Sequence, residues 1–448
     1  MPEILENFKR AYPDLYDNAI VHFVDFDKGG DWQGFYNERW PAWMGDDVLA
    51  TEIRREKALG LRPCIEPFGW VLAMDGTKFG RPDYRIYQQS FYPELRKQTL
   101  AWGEEELLSN GATDPRRTFA CLASGYGRNV FIDDMRKTAP WGMDLFQLME
   151  TSLVRKMDCF NSAHGHPLGA GAWIYEKAYK IFAEVRNTGR KLNPDFCTDK
   201  EETAESLIPV LDTVYLRNAQ VKNMRWNGRP QFYKNNIPLF DYIYHDYLVM
   251  LDGFQANDPV TVRWCAGLAA VLGHATGPLF GSDPTGKYFQ EAQSGGAWEI
   301  TRQAHKACNS YARRYLIFGR VLPPPGVEFP EMRQPKQTMD LFQQCSMPSG
   351  QETTRADFVT PKVVQSAHLS PEGGIGLCFV NVADDAVVFA LSLSKYAKYL
   401  KTPAAKIAVR HNGAVVVEQR VVLSGSAADL KLTIQPRALL FVTMEPAR

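Results

Sequence analysis

Several common signatures are missing from this 448-residue chain, and each absence removes a class of function. Its eight cysteines, at 64, 121, 159, 197, 265, 308, 345 and 378, are scattered singly and form no Cys-x-x-Cys pair, which argues against a zinc knuckle. Cys64 in Leu-Arg-Pro-Cys-Ile and Cys378 in Gly-Leu-Cys-Phe-Val lie inside apolar runs and read as buried free thiols, which suits a reducing compartment. Net charge is zero, with 51 Lys plus Arg against 51 Asp plus Glu, so nothing favours nucleic acid or a membrane surface as partner. No apolar run approaches the ~20 residues that a membrane span needs. The opening Met-Pro-Glu-Ile-Leu-Glu-Asn-Phe-Lys has no basic stretch followed by an apolar core, so no signal peptide is visible. The chain as written is expected to be cytoplasmic, or secreted or periplasmic if an N-terminal part has been lost. There is no Gly-x-Ser-x-Gly elbow, and Asp27-Lys-Gly-Gly-Asp31 lacks the spacing of a phosphate-binding turn. No cofactor is expected.

What is present is an alternation of strands and helices. Short apolar runs, the form taken by parallel strands buried on both faces, occur at Ala19–Phe26, Leu61–Glu66, Thr118–Leu122, Met143–Leu148, Asp195–Thr198, Thr213–Leu216, Pro238–Tyr244 and His274–Phe280. Helical patterns fall between them at Val48–Leu59, Ala172–Asn187, Glu202–Leu211 and Val260–Leu272, and a long helix over Trp298–Phe318 closes the series. Eight such alternations in roughly 320 residues predict a (β/α)8 TIM barrel over residues 1–325. Leu322-Pro-Pro-Pro-Gly breaks the pattern. Beyond it, Ile375–Val382, Ala386–Leu393, Lys406–His411, Ala414–Val422 and Leu430–Met444 read as strands, with His411-Asn-Gly413 as a hairpin turn. Residues 338–448 are therefore expected to form a small C-terminal antiparallel β-sandwich.

In a parallel barrel the strand C-termini converge on one mouth. That rule collects Asp25, Asp27, Glu66, Glu150 and Asp158, then Asp199, Glu201 and Glu202, then Arg217, His245, Asp246 and Asp283. The mouth is strongly acidic. Two carboxylates, one protonated and one ionised, are what acetal cleavage needs. Each alone could equally be a helix cap or a solvated loop residue, and Glu201 and Glu202 would suit a helix start. His164-Gly-His166 could be a metal pair, but no further ligands follow from the spacing, so no metal is assigned. The two histidines are read as positioning a polar substrate or locking their loop. Trp32, Phe35, Tyr36, Trp40 and Trp43, with Phe68 and Trp70, could stack on sugar rings or pack as a lid.

The run Cys159-Phe-Asn-Ser-Ala-His-Gly-His-Pro-Leu-Gly-Ala-Gly171, with Glu201-Glu-Thr-Ala-Glu205 and Ile237-Pro-Leu-Phe-Asp-Tyr-Ile-Tyr-His245-Asp246, resembles an uncharacterised bacterial family of TIM-barrel proteins similar to glycoside hydrolases. The resemblance covers roughly residues 15–320 and implies a carbohydrate substrate. It departs at the fourth strand, where Met149 and Glu150 stand in place of an Asp. The expectation is a glycoside hydrolase with Glu201 as general acid/base, Glu150 as its partner and Asp158 in reserve. Asp25, Asp27, Glu66, Trp70, His164, His166, Arg217, His245, Asp246 and Asp283 would bind the sugar. The alternatives are a non-catalytic carbohydrate-binding barrel and a metal-dependent hydrolase using His164 and His166.

Overall fold

The structure, a computed structural model, describes residues 2–17, 19–23, 26, 40–67, 71–73, 117–148, 159–201, 204–216, 238–254, 259–278, 295–334, 358–424 and 429–447. The chain divides into two compact units, Tyr16–Val214 on the one hand and Met1–Leu15 with Tyr215–Arg448 on the other. No described helix is long and apolar enough to cross a membrane.

The first unit is built on a parallel sheet. Its strands are β1 (Ile20–Phe23) and β2 (Arg62–Ile65), then, after the antiparallel pair β3 (Val71–Ala73) and β4 (Arg117–Phe119), β5 (Leu145–Leu148) and β6 (Cys197–Lys200). The spatial order is β1-β2-β5-β6, and all three neighbouring pairs are parallel. Parallel neighbours need crossover connections. Helix α1 (Asp46–Ala58) joins β1 to β2; α2 (Gly125–Thr138) precedes β5; α3 (Ala172–Leu192) joins β5 to β6. Every residue of β5 is buried, and its Phe146 packs between Phe131 of α2 and Phe196 at ring distances of 6.3 and 6.2 Å. Of the expected strands, Thr118–Leu122 is corrected: among the described residues β4 (Arg117–Phe119) pairs with β3 in a two-stranded antiparallel sheet, outside the parallel one. Of the helix expected over Glu202–Leu211, the described residues 204–211 form no α-helix. A 3-10 turn spans Glu205–Val210 with Pro209 inside it, where the missing N–H and ring clash block a regular helix.

After β7 (Thr213–Tyr215), β8 (Val249–Phe254) and β9 (Ala275–Pro278) of the second unit pair in parallel around α5 (Pro259–Leu272), and further along β11 (Glu331–Gln334) pairs antiparallel with β12 (Phe358–Pro361). The stretch Pro238–Tyr244, expected as a strand, is helix α4 (Leu239–Tyr244). Leu239 and Ile243 point to solvent at 62% and 45% exposure, whereas Asp241 is buried, so the apolar run does not face the core. Short apolar runs do not distinguish strand from helix by periodicity alone. The long helix expected over Trp298–Phe318 breaks at Ser310 into α6 (Ala297–Asn309) and α7 (Arg313–Leu316).

The C-terminal region is antiparallel throughout its main sheet. Six strands run in the order β10 (Arg320–Leu322), β13 (Val363–Leu369), β14 (Ile375–Asn381), β19 (Leu439–Pro446), β16 (Ala404–His411) and β17 (Ala414–Val422). Strands β15 (Val387–Ser392) and β18 (Asp429–Ile434) form a second, two-stranded sheet. The stretch Leu430–Met444 is two strands rather than one, since Pro436 interrupts the ladder and Arg437 takes φ +52°. Ile375, Leu377 and Phe379 of β14 join β15 and β18 in one core; Cys378 and Val380, on the opposite face, pack with Trp264, Ile300 and Tyr315 from α5, α6 and α7. The central strand is thereby buried on both faces, which explains its unbroken apolar run. Gly267 of α5 makes the close approach possible: a Cβ there would lie 2.4 Å from Val382 Cγ1. Gly267→Ala is expected to cost about 1–3 kcal/mol through overpacking, read as a lower midpoint in denaturant unfolding.

Candidate functional site

Carboxylates at the two ends of the parallel sheet are treated differently. At the start of β5, Asp144 is held by Lys57 Nζ at 2.5 Å, Arg62 Nη1 at 3.3 Å and Asn193 Nδ2 at 3.0 Å. Asp212, just before Thr213, receives Arg186 and Arg190 and the backbone N–H of Thr198. Carboxylates with such full complements of donors are structural.

At the C-terminal end the pairing is incomplete. The register Ile65↔Phe146 and Gln147↔Asp199 sets Glu66, Gln147 and Asp199 in one row across β2, β5 and β6. Alternation puts His22 and Cys64, themselves register partners, on the same face one step lower, and Glu201 one step higher. Asp199 and Glu201, two residues apart at ~3.3 Å per residue, stand on one face with backbones ~6.6 Å apart. All of Glu66, Gln147, Asp199 and Glu201 are buried. His22 Nδ1 lies 3.4 Å from Glu66 Oε2. Burial works against a charge on His22, but the neighbouring Cys64 and Glu66 hold its pKa well above the ordinary 6.5.

Asp199 is fully buried, and burial pushes its pKa up to about 6, against a 2.8 Å bond that Thr213 Oγ1 donates to Oδ1. Its second oxygen, Oδ2, has no hydrogen-bond partner among the described residues, and neither has Nε2 of Gln147, its register partner. One is an acceptor and the other a donor, both buried on adjacent strands. Each unmade bond costs ~1–3 kcal/mol. A ligand hydroxyl, which donates and accepts at once, satisfies both.

Other anticipated residues fall elsewhere. His245 is buried in the second unit, with Nδ1 and Nε2 each 2.7 Å from a backbone carbonyl, of Gly319 and Leu272. Asp246 beside it is exposed. Trp40 is packed: its Nε1 donates to Asp134 at 2.8 Å and its ring sits against Phe26 and Trp141. Asp25, Asp27, Trp70, Glu150, Asp158, Arg217 and Asp283 lie outside the described residues.

His164 and His166 meet two cysteines. Cys121 Sγ is 3.3 Å from His166 Nε2, Cys159 Sγ is 3.4 Å from His164 Nδ1, and the ligating atoms of all four side chains lie within 4.8 Å of one another. The loop is closed by an isolated bridge between Cys159 and Gly169, and His166 stacks on Trp173 at 3.8 Å between ring centres. Cys121 lies 38 positions before Cys159, a spacing that hides the association. Gln147 and His22 are not singled out by the sequence either, since each joins the row only through its register with Asp199 and with Cys64 on the neighbouring strand.

Residues 106–255 match the model of DUF6259, a domain of unknown function. A search of curated proteins found no match. Among solved structures, the noncanonic maltogenic alpha-amylase AmyB from Thermotoga neapolitana superposes with a TM-score of 0.56 at 10% identity, covering 99% of this chain and 93% of its own. The GH27 β-L-arabinopyranosidase Abp-WT from Geobacillus stearothermophilus gives 0.51 at 10% identity, over 100% and 92%. The alpha-N-acetylgalactosaminidase NagBb from Bifidobacterium bifidum, as a quadruple mutant, gives 0.50 at 12% identity, over 84% of this chain and 50% of its own. The chain thus has a glycoside-hydrolase-like fold, α/β with antiparallel sheets, and at these identities the likeness is one of fold.

Proposed function

We propose that the chain is a glycosidase built on a (β/α)8 barrel, with the β-rich region after residue 338 as its accessory domain, and that its carbohydrate substrate binds over the row Glu66, Gln147 and Asp199. The observation that carries this reading is the pair of complementary unsatisfied atoms, Asp199 Oδ2 and Gln147 Nε2, at the strand ends of a glycosidase-like fold. Clustered buried polar groups without partners suit polyol recognition.

Glu201 acts as general acid/base, delivering a proton to the leaving oxygen and recovering one from water. Asp199 is the partner carboxylate, in the place first given to Glu150 and Asp158. Its raised pKa reports a poorly solvated charge, and such a charge gains most when an oxocarbenium ion develops beside it. Glu66, held by His22, binds a hydroxyl. In a panel of aryl glycosides, the wild type should turn over at least one member with or without chelator, and Glu201→Gln should lose about 10²–10⁴-fold. Turnover abolished by chelator would transfer the reading to a metal-dependent hydrolase; sugar binding without turnover would leave a carbohydrate-binding barrel.

A further inference from the structure

We propose that Cys121, Cys159, His164 and His166 form a closed tetrahedral site for a structural Zn(II), separate from the carboxylate row. The sulfur–nitrogen distances of 3.3 and 3.4 Å approach the tetrahedron edge of about 3.5 Å that follows from Zn–S of ~2.3 Å and Zn–N of ~2.0–2.1 Å. Two thiolates and two imidazoles are a soft donor set that selects zinc over calcium or magnesium. Four protein ligands leave no open position for water, so the ion is a staple and not a reagent.

The surroundings are arranged to hold the four groups. His166 Nδ1 donates to the Pro167 carbonyl at 2.7 Å, which leaves Nε2 as the lone-pair nitrogen turned to Cys121. Metal-binding imidazoles are oriented by such second bonds. Trp173 covers the ring and donates Nε1 to Gly169 O at 3.1 Å. Asn161 caps the Ser162–His164 turn by accepting from Ala163 N. Gly165 and Gly169, at φ +67° and +81°, let the loop fold back. On the other side, Ser124 Oγ donates to Cys121 O at 2.7 Å, and Gly127 has a site for Cβ only 2.0 Å from that carbonyl. Cys121 is therefore fixed against the start of α2, while the loop bearing the other three ligands leads into α3. The ion would clip together the beginnings of two helices joined further along by Arg128 and Glu184 at 2.8 Å.

The test uses the full-length protein and needs no activity. Purified protein should carry one Zn(II) per chain, and the chelated protein should melt several degrees lower and regain its Tm on adding Zn(II). Co(II) added instead should give tetrahedral d–d bands with a thiolate charge-transfer band. Cys121→Ser and Cys159→Ser should each weaken Zn(II) binding more than about 100-fold, since changes behind the ligands alone cost 10–100-fold. Should those variants fail to fold, the wild type still decides: Zn(II) must protect both thiols from a thiol reagent. Protein that takes up no Zn(II) or Co(II), metal retained in both serine variants, or a Co(II) spectrum lacking thiolate charge transfer would each overturn the site. Loss of glycosidase activity with metal binding intact would leave it standing.

Discussion

Asp199→Asn is expected to lower kcat/KM by about 10²–10⁴-fold and, at pH 7, to raise the melting temperature. The two effects share one cause. Burial raises the carboxyl pKa from 3.8 to about 6 in the folded chain, so the folded state holds the proton more tightly than the unfolded state does. Stability from this group is therefore fully present below 3.8 and is lost as pH rises through about 6. At neutral pH the ionised side chain is a net cost on the order of 1–3 kcal/mol, which a neutral amide relieves in part. Catalysis needs the ionised form, so wild-type kcat/KM should climb as pH rises through about 6. A structural aspartate would show the reverse in the variant, lost stability with retained turnover. Paired thermal melts and initial rates on one preparation separate the two.

The second large effect is acid lability in the unit containing α4, α5 and the antiparallel sheet. Asp241 and His274 form a buried pair at 2.5 Å; His245 packs beside His368, with ring centres 5.2 Å apart; His368 Nε2 lies 2.9 Å from Val271 O and 3.0 Å from Ser366 Oγ. Burial, with the His245 charge next, pushes the His368 pKa down from 6.5 to about 3, and His245 is lowered by burial and His274. Asp241 is lowered too, by His274 against its own burial. The signs agree. An unfolded histidine binds its proton near 6.5 and the folded His368 only near 3, so stability is present above 6.5 and falls as pH drops through that window. The slope from this residue alone is up to ~1.4 kcal/mol per pH unit. His368→Gln, which keeps an amide donor for Val271, should flatten the dependence of unfolding free energy on pH between 6.5 and 4. An unchanged slope would mean that the cluster does not govern acid unfolding.

The same physics explains which parts of the architecture could be read in advance. Buried parallel strands announce themselves as apolar runs, and β1, β2, β5 and β9 fall inside the stretches expected for them, while β6 overlaps Asp195–Thr198 and runs two residues past it. The failures come where a run has two solutions. Pro238–Tyr244 is apolar enough for a strand, yet Asp241 and His245 are the buried positions, four apart, and they anchor a helix through His274 and two carbonyls. In the sequence Glu201 belongs to the mouth, though as a helix start; in the structure it directly follows β6, and alternation back from there points to Asp199. Gln147 could not be picked out by type, because a buried glutamine becomes informative only when its partners are counted. The Cys121 pairing with His166 depends on a tertiary contact across 45 positions, beyond the reach of any local spacing.

The most direct measurement is the crystal structure of Glu201→Gln soaked with the best substrate from the glycoside panel. The account predicts a sugar hydroxyl within about 3 Å of both Asp199 Oδ2 and Gln147 Nε2. A sugar seated elsewhere, with those two atoms still unpaired, would contradict it.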